Sequence, residues 1–323
     1  MINRAILYNK FIRYDELVKI VNECPSFKDS TVGHDLNIFI DLQSIYKDIL
    51  STDIIGSDTK TLSINVLNMV AHYRHFFRNL LRTNICVFIV NSVQMTNNIG
   101  QIQNNNNAFK LIESLCKYLP DIYYIYREGT NASFVIPGIT MSSVYKLNPS
   151  LIISNDIYSY QFPAMWNNCF VLRIGIKHRY LITRYNAIDL QFKNSTQTSD
   201  LTSNVIPLIM AFNKCKELDI PLLFTYKKAI DYIRSLIGSG YLTQGYTIPY
   251  PGLDKVISLE GFYHRWTRCD LKSNALMYSE SPAILDTTWE IKKQCNLNQL
   301  ANIIDSKLNY DPENILNYVY LLE

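Results

Sequence analysis

Residues 151–162 of the sequence read LIISNDIYSYQF. A short apolar run stops at a Ser-Asn-Asp turn, and an aromatic run with a single glutamine follows. This pattern is typical of a buried parallel strand with polar residues at its C-terminal end. In open α/β sheets that edge carries the sites, which places Asp156 where a carboxylate can take part in chemistry.

The same stretch resembles a motif of the 5′-nuclease superfamily, a PIN-like class that includes flap endonucleases and phage 5′-3′ exonucleases. In that family the strand reads approximately Ser/Thr-x-Asp-x-Asp-x-x-Gln-Leu. Ser154, Asp156 and Gln161 match this pattern. Tyr158 stands in place of the second aspartate, and Phe162 in place of the leucine. The resemblance therefore covers the strand but departs from the family at one of its acids.

A second strand pattern, NIFIDL at residues 37–42, ends in Asp41 and leads into a helical pattern. The 5′-nuclease fold opens in the same way, and the resemblance implies that Asp41 is its first metal-binding aspartate. The residues alone also allow Asp41 to be the cap of the helix that follows. Both interpretations stay open at this point.

Two further segments keep the frame of the family and lose its acids. The strand ICVFIV, residues 85–90, is followed by Asn91-Ser92 where the family has Asp-Gly. The segment GTNASFVI, residues 129–136, corresponds to the family's G-x-E-A-D-D-x-I. In that segment three residues replace acids: Asn131, Ser133 and Phe134. Such side chains do not supply the negative charge that holds a hard divalent ion.

The segments with which the family grips DNA are altered as well. Between residues 91 and 108 there is no Lys or Arg, whereas active relatives carry a basic arch there, so the phosphate attraction is missing. Residues 205–237 resemble the family's helix-three-turn-helix, which binds duplex through the amides of a glycine turn and a bound cation. Leu222, Leu223 and Phe224 replace the turn glycines, and bulky side chains prevent close backbone approach.

Basic residues near this motif and on a hairpin predicted over residues 169–185 are candidates for contact with phosphate. They are Lys214, Lys216, Lys227, Lys228, Arg173, Lys177 and Arg179. Residues 262–268, FYHRWTR, mix aromatic and basic groups, as single-strand binders and protein interfaces both do.

Composition sets outer bounds on class and location. A chain of 323 residues with 48% hydrophobic and 18% charged residues can bury a sizeable core. A net charge of +3 is too mild to indicate nucleic acid by itself. Seven scattered cysteines without a CxxC pair predict a reducing compartment. Without a readable signal peptide or membrane-length apolar run, we predict an intracellular protein, in the host cytoplasm or a viral particle, not secreted and not in a membrane.

We predict an α/β fold with a PIN/5′-nuclease-like, mostly parallel central sheet flanked by helices. A helix-three-turn-helix-like subregion and a C-terminal helical extension follow it. The predicted divisions are an N-terminal helical segment over 1–35, the 5′-nuclease-like core over 36–195, and a helical region over 196–323, which closes with helices at 297–308 and 312–322.

Metal-assisted phosphodiester hydrolysis uses two divalent ions held by several carboxylates. Only Asp41 and Asp156 map onto the acids of the active family, so we predict vestigial metal residues and no cofactor. The sequence favours a pseudoenzyme that serves as a structural or docking module among other proteins of a phage or viral assembly, with weak, non-specific nucleic-acid binding at most.

Two alternatives stay open. One is an active, metal-dependent 5′-3′ exonuclease or flap endonuclease with a reduced Mg²⁺ or Mn²⁺ site that borrows Glu128, Asp121 or Asp48. The other is a non-catalytic DNA- or RNA-binding protein that uses the basic residues named above.

Overall fold

The protein is described by a computed structural model, in which residues divide into two compact units. One unit takes in the chain up to residue 155 together with residues 170–181, and the other contains residues 156–169 and 182–278. The structure describes residues 14–45, 59–93, 109–117, 119, 121–128, 130–140, 148–166, 168–175, 179–192, 200–238 and 257–275. The predicted boundaries at 36 and 196 stay predictions, and the predicted closing helices lie outside the described residues.

A six-stranded sheet forms the centre of the first unit. Its strands are β1 (Leu36–Asp41), β2 (Ile85–Val93), β3 (Ile122–Glu128), β4 (Ser150–Ile153), β5 (Cys169–Ile174) and β6 (Arg179–Ile182). Their order across the sheet is β3-β2-β1-β4-β5-β6. Strand β1 pairs in parallel with β2 and β4, and β2 pairs in parallel with β3. The predicted α/β class with a mostly parallel sheet is therefore confirmed.

Helices flank this sheet. They are α1 (Tyr14–Asn22), α2 (Pro25–Thr31), α3 (Leu42–Ile45), α4 (Thr59–Leu81) and α5 (Ala132–Thr140), and residues 109–116 are helical as well. The long helix α4 agrees with the helical periodicity of its sequence. Residues 94–107, where the family carries its arch, lie outside the described part of the chain.

One face of the sheet packs into the main core. Side chains of a strand alternate between the two faces, and residues directly opposite each other in a parallel pair point to the same side. Ile38 of β1 lies opposite Val87 of β2 and Leu151 of β4, and all three belong to one buried apolar cluster. Phe27 and Phe77, from α2 and α4, join the same cluster.

The opposite face carries Phe39 and ends in Asp41. The ring of Phe39 stacks on that of Phe88 at 4.8 Å, and Phe88 stacks in turn on Tyr123 at 5.1 Å. Helix α5 packs against β1 and β2, and its buried apolar residues lie outside the main cluster. It therefore covers this second face, the face of Asp41.

The second unit is helical. Its α-helices are α6 (Phe162–Met165), α7 (Ala187–Phe192), α8 (Ile206–Phe212), α9 (Tyr226–Gly238), α10 (Leu259–Cys269) and α11 (Leu271–Ala275), and 3₁₀-helices span Ile157–Gln161 and Ser203–Val205. Helix α8 packs against both α9 and α10. The pair α8 and α9 is the two-helix scaffold predicted over residues 205–237. Within the described residues, no helix has both the length and the apolar character to cross a membrane.

We predict that Phe88→Ala lowers the free energy of unfolding by about 3–5 kcal/mol, because it removes the middle ring of a buried three-ring stack. Chemical denaturation followed by circular dichroism measures this change. Val32→Ala is the control, since Val32 is 74% exposed, and it is expected to change stability by no more than about 0.5 kcal/mol. Similar midpoints for the two variants would contradict the assigned packing.

Candidate functional site

Asp41 is the acid at the centre of the parallel edge. It is the last residue of β1, lies opposite Val90 of β2, and is 2% exposed. The C-terminal ends of β1, β2 and β4 meet there because the three strands run in parallel. The sequence-based placement of Asp41 at the C-terminal edge is therefore what the structure shows.

Neutral groups donate hydrogen bonds to both carboxylate oxygens of Asp41. The Ser154 hydroxyl donates to Oδ2 at 2.8 Å, and the backbone N–H of Ser44 donates to Oδ1 at 3.1 Å. The second bond is that of a helix cap, since α3 begins at Leu42. The sequence left Asp41 as either a metal ligand or a helix cap. The structure shows the hydrogen bond of a helix cap.

Ser44 extends this network to the loop after β4. Its hydroxyl lies 3.2 Å from that of Ser154 and accepts a hydrogen bond from the backbone N–H of Asn155 at 3.0 Å. The side chain of Asn155 in turn accepts from the N–H of Ile174 in β5 at 3.1 Å. A chain of neutral hydrogen bonds therefore joins the ends of β1, β4 and β5.

The register of β2 decides which of its two polar residues, Asn91 or Ser92, lies on the same face of the sheet as Asp41. Because Val90 lies opposite Asp41, the alternation of side chains puts Ser92 on the face of Asp41 and Asn91 on the other face. Asn91 donates to the hydroxyl of Tyr124 at 2.8 Å, and Ser92 donates to Gln43 at 3.2 Å. The residue that shares a face with Asp41 is therefore a serine already bonded to an amide.

The start of α5 is also neutral. The side chain of Asn131 accepts from the N–H of Ser133 at 2.8 Å, which caps the helix. Ser133 is fully buried, and its hydroxyl has no hydrogen-bond partner in the described part of the protein. The first turn of α5 thus brings a hydroxyl, and no carboxylate, to the face that carries Asp41.

These side chains do not fit a divalent metal centre. Mg²⁺ and Mn²⁺ are held by hard oxygen ligands, chiefly carboxylates. Nowhere in the described ranges do three or more His, Cys, Asp or Glu residues group together in a way that could hold a metal ion. Asp41 offers one carboxylate, and both of its oxygens already accept hydrogen bonds.

Of the acids suggested as substitute ligands, Asp121 lies away from this edge. Asp121 precedes β3, and the N–H of Val87, near the start of β2, donates to its carbonyl at 2.8 Å. It therefore lies at the N-terminal edge, the wrong end of the sheet, and its carboxylate is 3.5 Å from Arg74. Glu128 ends β3 at the level of Val93. Asp48 lies outside the described residues.

Asp156 opens the second unit, where its carboxylate accepts from the N–H of Tyr158 at 2.8 Å and caps the 3₁₀-helix Ile157–Gln161. Its predicted proximity to Asp41 stays a prediction. That both acids follow apolar strands is what the structure shows, since β4 ends at Ile153 and pairs with β1.

Tyr158 and Gln161 hold the junction between α10 and α11. The hydroxyl of buried Tyr158 donates to the carbonyl of Arg268 at 2.6 Å. Gln161 donates to the carbonyl of Cys269 at 2.7 Å and accepts from the N–H of Leu271 at 2.9 Å. Burial, aided by Asp156, raises the pKa of Tyr158, so the phenol stays protonated at neutral pH. The tyrosine in the family's aspartate position is therefore a structural donor.

The connection between α8 and α9, residues 213–225, is held by backbone contacts. The carbonyl of Phe212 accepts from the N–H groups of both Leu223 and Phe224 at 2.9 Å. A short antiparallel bridge joins Cys215 to Ile220. Bulky residues at the predicted glycine positions therefore still form a defined turn.

Two arginines of the aromatic and basic stretch secure this connection from α10. Arg265 is 8% exposed and donates two hydrogen bonds to the carbonyl of Ala211, at 2.9 and 2.7 Å, and one to that of Pro221. Arg268 donates to the carbonyl of Leu218. Burial lowers the pKa of Arg265. These roles were missed because the stretch has the composition of an exposed binding surface.

The four predicted phosphate-binding lysines of the second unit are all exposed. Lys214 and Lys216 lie in the connection, and Lys227 and Lys228 lie in the first turn of α9. The ammonium group of Lys228 is 4.4 Å from the ring centroid of Phe224. The structure therefore gathers these cations around one turn.

The basic residues predicted on the hairpin belong to the first unit. Strands β5 and β6 are neighbours in the sheet, as the hairpin prediction requires. Arg173 is half-buried, and Arg179 forms a 2.8 Å ion pair with Glu16 of α1, so part of its charge is already balanced. Lys177 lies outside the described residues.

A scan against protein families finds no match, and a comparison with curated proteins finds none either. Among solved structures, the chain is similar to T5 5′-exonuclease, with 9% identity, coverage of 88% of this chain and 99% of that chain, and a TM-score of 0.44. It is also similar to a T5 flap endonuclease in a pseudo-enzyme–product complex with DNA and metal ions. The identity is 8%, the match covers 88% of this chain and 98% of that chain, and the TM-score is 0.46.

The chain is also similar to the catalytic core of Rad2 in complex with DNA substrate. The identity is 10%, the match covers 92% of this chain and 94% of that chain, and the TM-score is 0.46. The α/β fold of this chain rests on its own strand order and register.

We predict that Ser154→Ala lowers the free energy of unfolding by about 1–3 kcal/mol, because Oδ2 of the buried Asp41 carboxylate loses its hydroxyl donor. Urea denaturation measures this change. Ser235→Ala on the exposed surface of α9 is the matched control and is expected to stay within about 0.5 kcal/mol of the wild type. An equally small effect at Ser154 would contradict its assigned role.

Proposed function

We propose that the chain is a catalytically inactive 5′-nuclease-like protein that serves as a structural or docking module in a phage or viral assembly. One observation carries the proposal. Asp41, whose carboxylate is held by the neutral Ser154 hydroxyl and Ser44 amide, is not joined in the described part of the chain by a group of three or more His, Cys, Asp or Glu that could hold a metal ion.

The chemistry of phosphodiester cleavage explains why this observation matters. Two divalent ions stabilise the attacking and leaving oxygens together, and holding them takes several oxygen ligands with enough negative charge. The edge around Asp41 offers Ser92 and Ser133 instead, and neither hydroxyl carries charge at neutral pH. Hydrolysis by this mechanism has no support from such a ligand set.

The second unit supports the same proposal independently. Tyr158 stands in the position that the resemblance assigns to an aspartate, and its hydroxyl is used to hold the carbonyl of Arg268. An aspartate is shorter and charged, and it cannot donate this bond at neutral pH. Tyr158 thus suits a structural role.

The phage or viral part of the proposal rests on composition, since the abundance of Ile, Asn, Lys and Tyr in the sequence fits such a source.

We predict that the purified full chain, with Mg²⁺ or Mn²⁺, does not cleave a 5′-flap or a nicked duplex above the level of an Asp156→Ala control. The reason is the shortage of charged ligands described above. A gel assay with end-labelled substrate measures this directly. Cleavage by the wild type that disappears in both Asp41→Ala and Asp156→Ala would instead support the alternative of an active nuclease with a reduced metal site.

A second candidate function, non-catalytic binding of DNA or RNA, is favoured by the four exposed lysines around the α8–α9 connection. Exposed lysines attract phosphate through counterion release without reading sequence. The turn itself gives no further support, because Leu222 is 53% exposed where close backbone approach to a phosphate calls for glycine.

We predict weak, sequence-independent binding, with a dissociation constant on the order of 10⁻⁴–10⁻⁶ M at physiological salt, falling off steeply as salt rises. Fluorescence anisotropy with duplex, flapped and single-stranded DNA measures it, and a Lys227→Glu/Lys228→Glu variant is expected to bind more weakly still. Nanomolar affinity with a preference for a flap or junction is the outcome that would contradict this prediction and the docking proposal together.

A further inference from the structure

The tip of the α8–α9 connection presents apolar side chains outward. Leu222 is 53% exposed, Pro221 before it is exposed, and Leu223 and Phe224 after it are half-buried. Exposed leucines occur singly on many proteins and need no explanation by themselves. The contacts behind this tip are what make it distinctive.

The backbone on both sides of Leu222 is fixed. Arg265 donates to the carbonyl of Pro221 immediately before it, and the N–H groups of Leu223 and Phe224 immediately after it both donate to the carbonyl of Phe212. A buried guanidinium and a shared carbonyl therefore hold the backbone that carries the exposed side chain. An apolar anchor on a fixed backbone loses little backbone entropy on binding, which favours its use in an interface.

Positive charge surrounds this anchor. Residues 213–228 contain four lysines and the two acids Glu217 and Asp219, a net charge of +2. The four lysines are exposed. Lys228 packs over the ring of Phe224, and Lys214 adjoins the Cys215–Ile220 bridge that closes the turn. Exposed lysines therefore stand on both sides of the apolar tip in the chain.

We propose that this surface, formed by Pro221, Leu222, Leu223 and the four lysines, docks an acidic amphipathic segment of a partner protein. An apolar side chain of the segment covers Leu222 and Leu223, and Asp or Glu residues beside it pair with the lysines. The inference deepens the proposed docking function and rests on it. Charge complementarity selects the partner, and the apolar contact supplies affinity.

Two other ligands match the surface less well. Nucleic acid satisfies the lysines but leaves Leu222 without an apolar partner at the centre of the contact. An anionic membrane satisfies both, yet each leucine supplies only about 1.5–3 kcal/mol on full burial and Leu223 is already half-buried, which is too little for stable insertion. A protein segment with apolar and acidic residues uses every part of the surface.

The experiment selects peptides from a random library displayed on phage, with the full chain immobilised and a Leu222→Asp variant used for counter-selection. The expected winners contain an apolar residue flanked by Asp or Glu. We then measure the affinity of the synthetic form of the best peptide by anisotropy. Leu222→Asp and Lys214→Glu/Lys228→Glu are each expected to weaken its binding by about tenfold or more.

The matched control is Val32→Asp, which introduces the same charge at a residue that is 74% exposed in the first unit. It is expected to leave peptide affinity unchanged, and thermal unfolding verifies that all variants fold. The proposal is overturned if the selected peptides are basic or neutral, or if Val32→Asp weakens binding as much as Leu222→Asp does.

It is also overturned if anionic vesicles or duplex DNA bind the wild type more tightly than the peptide, each losing affinity with Leu222→Asp. Failure of this inference leaves the cleavage assay untouched. Conversely, metal-dependent cleavage would reject the proposed loss of catalysis without altering the peptide result, so the two failures are distinguishable.

Discussion

The hydrogen bond from the Ser154 hydroxyl to the Asp41 carboxylate is the contact on which the functional edge of this protein depends. A buried carboxylate is costly unless hydrogen bonds or opposite charge compensate it. Here Ser154 at the end of β4 and the amide of Ser44 at the start of α3 provide that compensation. The protein therefore supplies the hydrogen bonds that the buried carboxylate needs. The same hydrogen bonds join the end of β1 to the end of β4 and to α3.

In the helical unit, too, buried polar side chains are compensated by hydrogen bonds, and here the acceptors are backbone carbonyls. Tyr158, Gln161 and Arg265 each bond to the end of a helix or to the connection between two helices. Arg265, which belongs to a stretch with the composition of a binding surface, thus stabilises the connection between α8 and α9 through hydrogen bonds. Leu222 and the four lysines near it in the chain stay exposed.

The central strands and the two-helix scaffold could be predicted because short apolar runs bounded by polar residues, and apolar residues at helical spacing, are local signals. Asp41 was placed correctly for the same reason. The facing of Asn91 and Ser92 could not be predicted, because a shift of one residue in register reverses every side chain of a strand. The role of Tyr158 was hidden as well, since its partner Arg268 lies 110 residues away in sequence.

The most direct test of this account is thermal unfolding of the full chain in saturating Mg²⁺ and in EDTA, for the wild type and for Asp41→Asn. A ligand that binds only the folded state raises the unfolding temperature. We expect the same unfolding temperature for the wild type in both solutions, because the described residues hold no group of three or more His, Cys, Asp or Glu that could bind the ion with Asp41. An increase in Mg²⁺ that is seen in the wild type and lost in Asp41→Asn would contradict it.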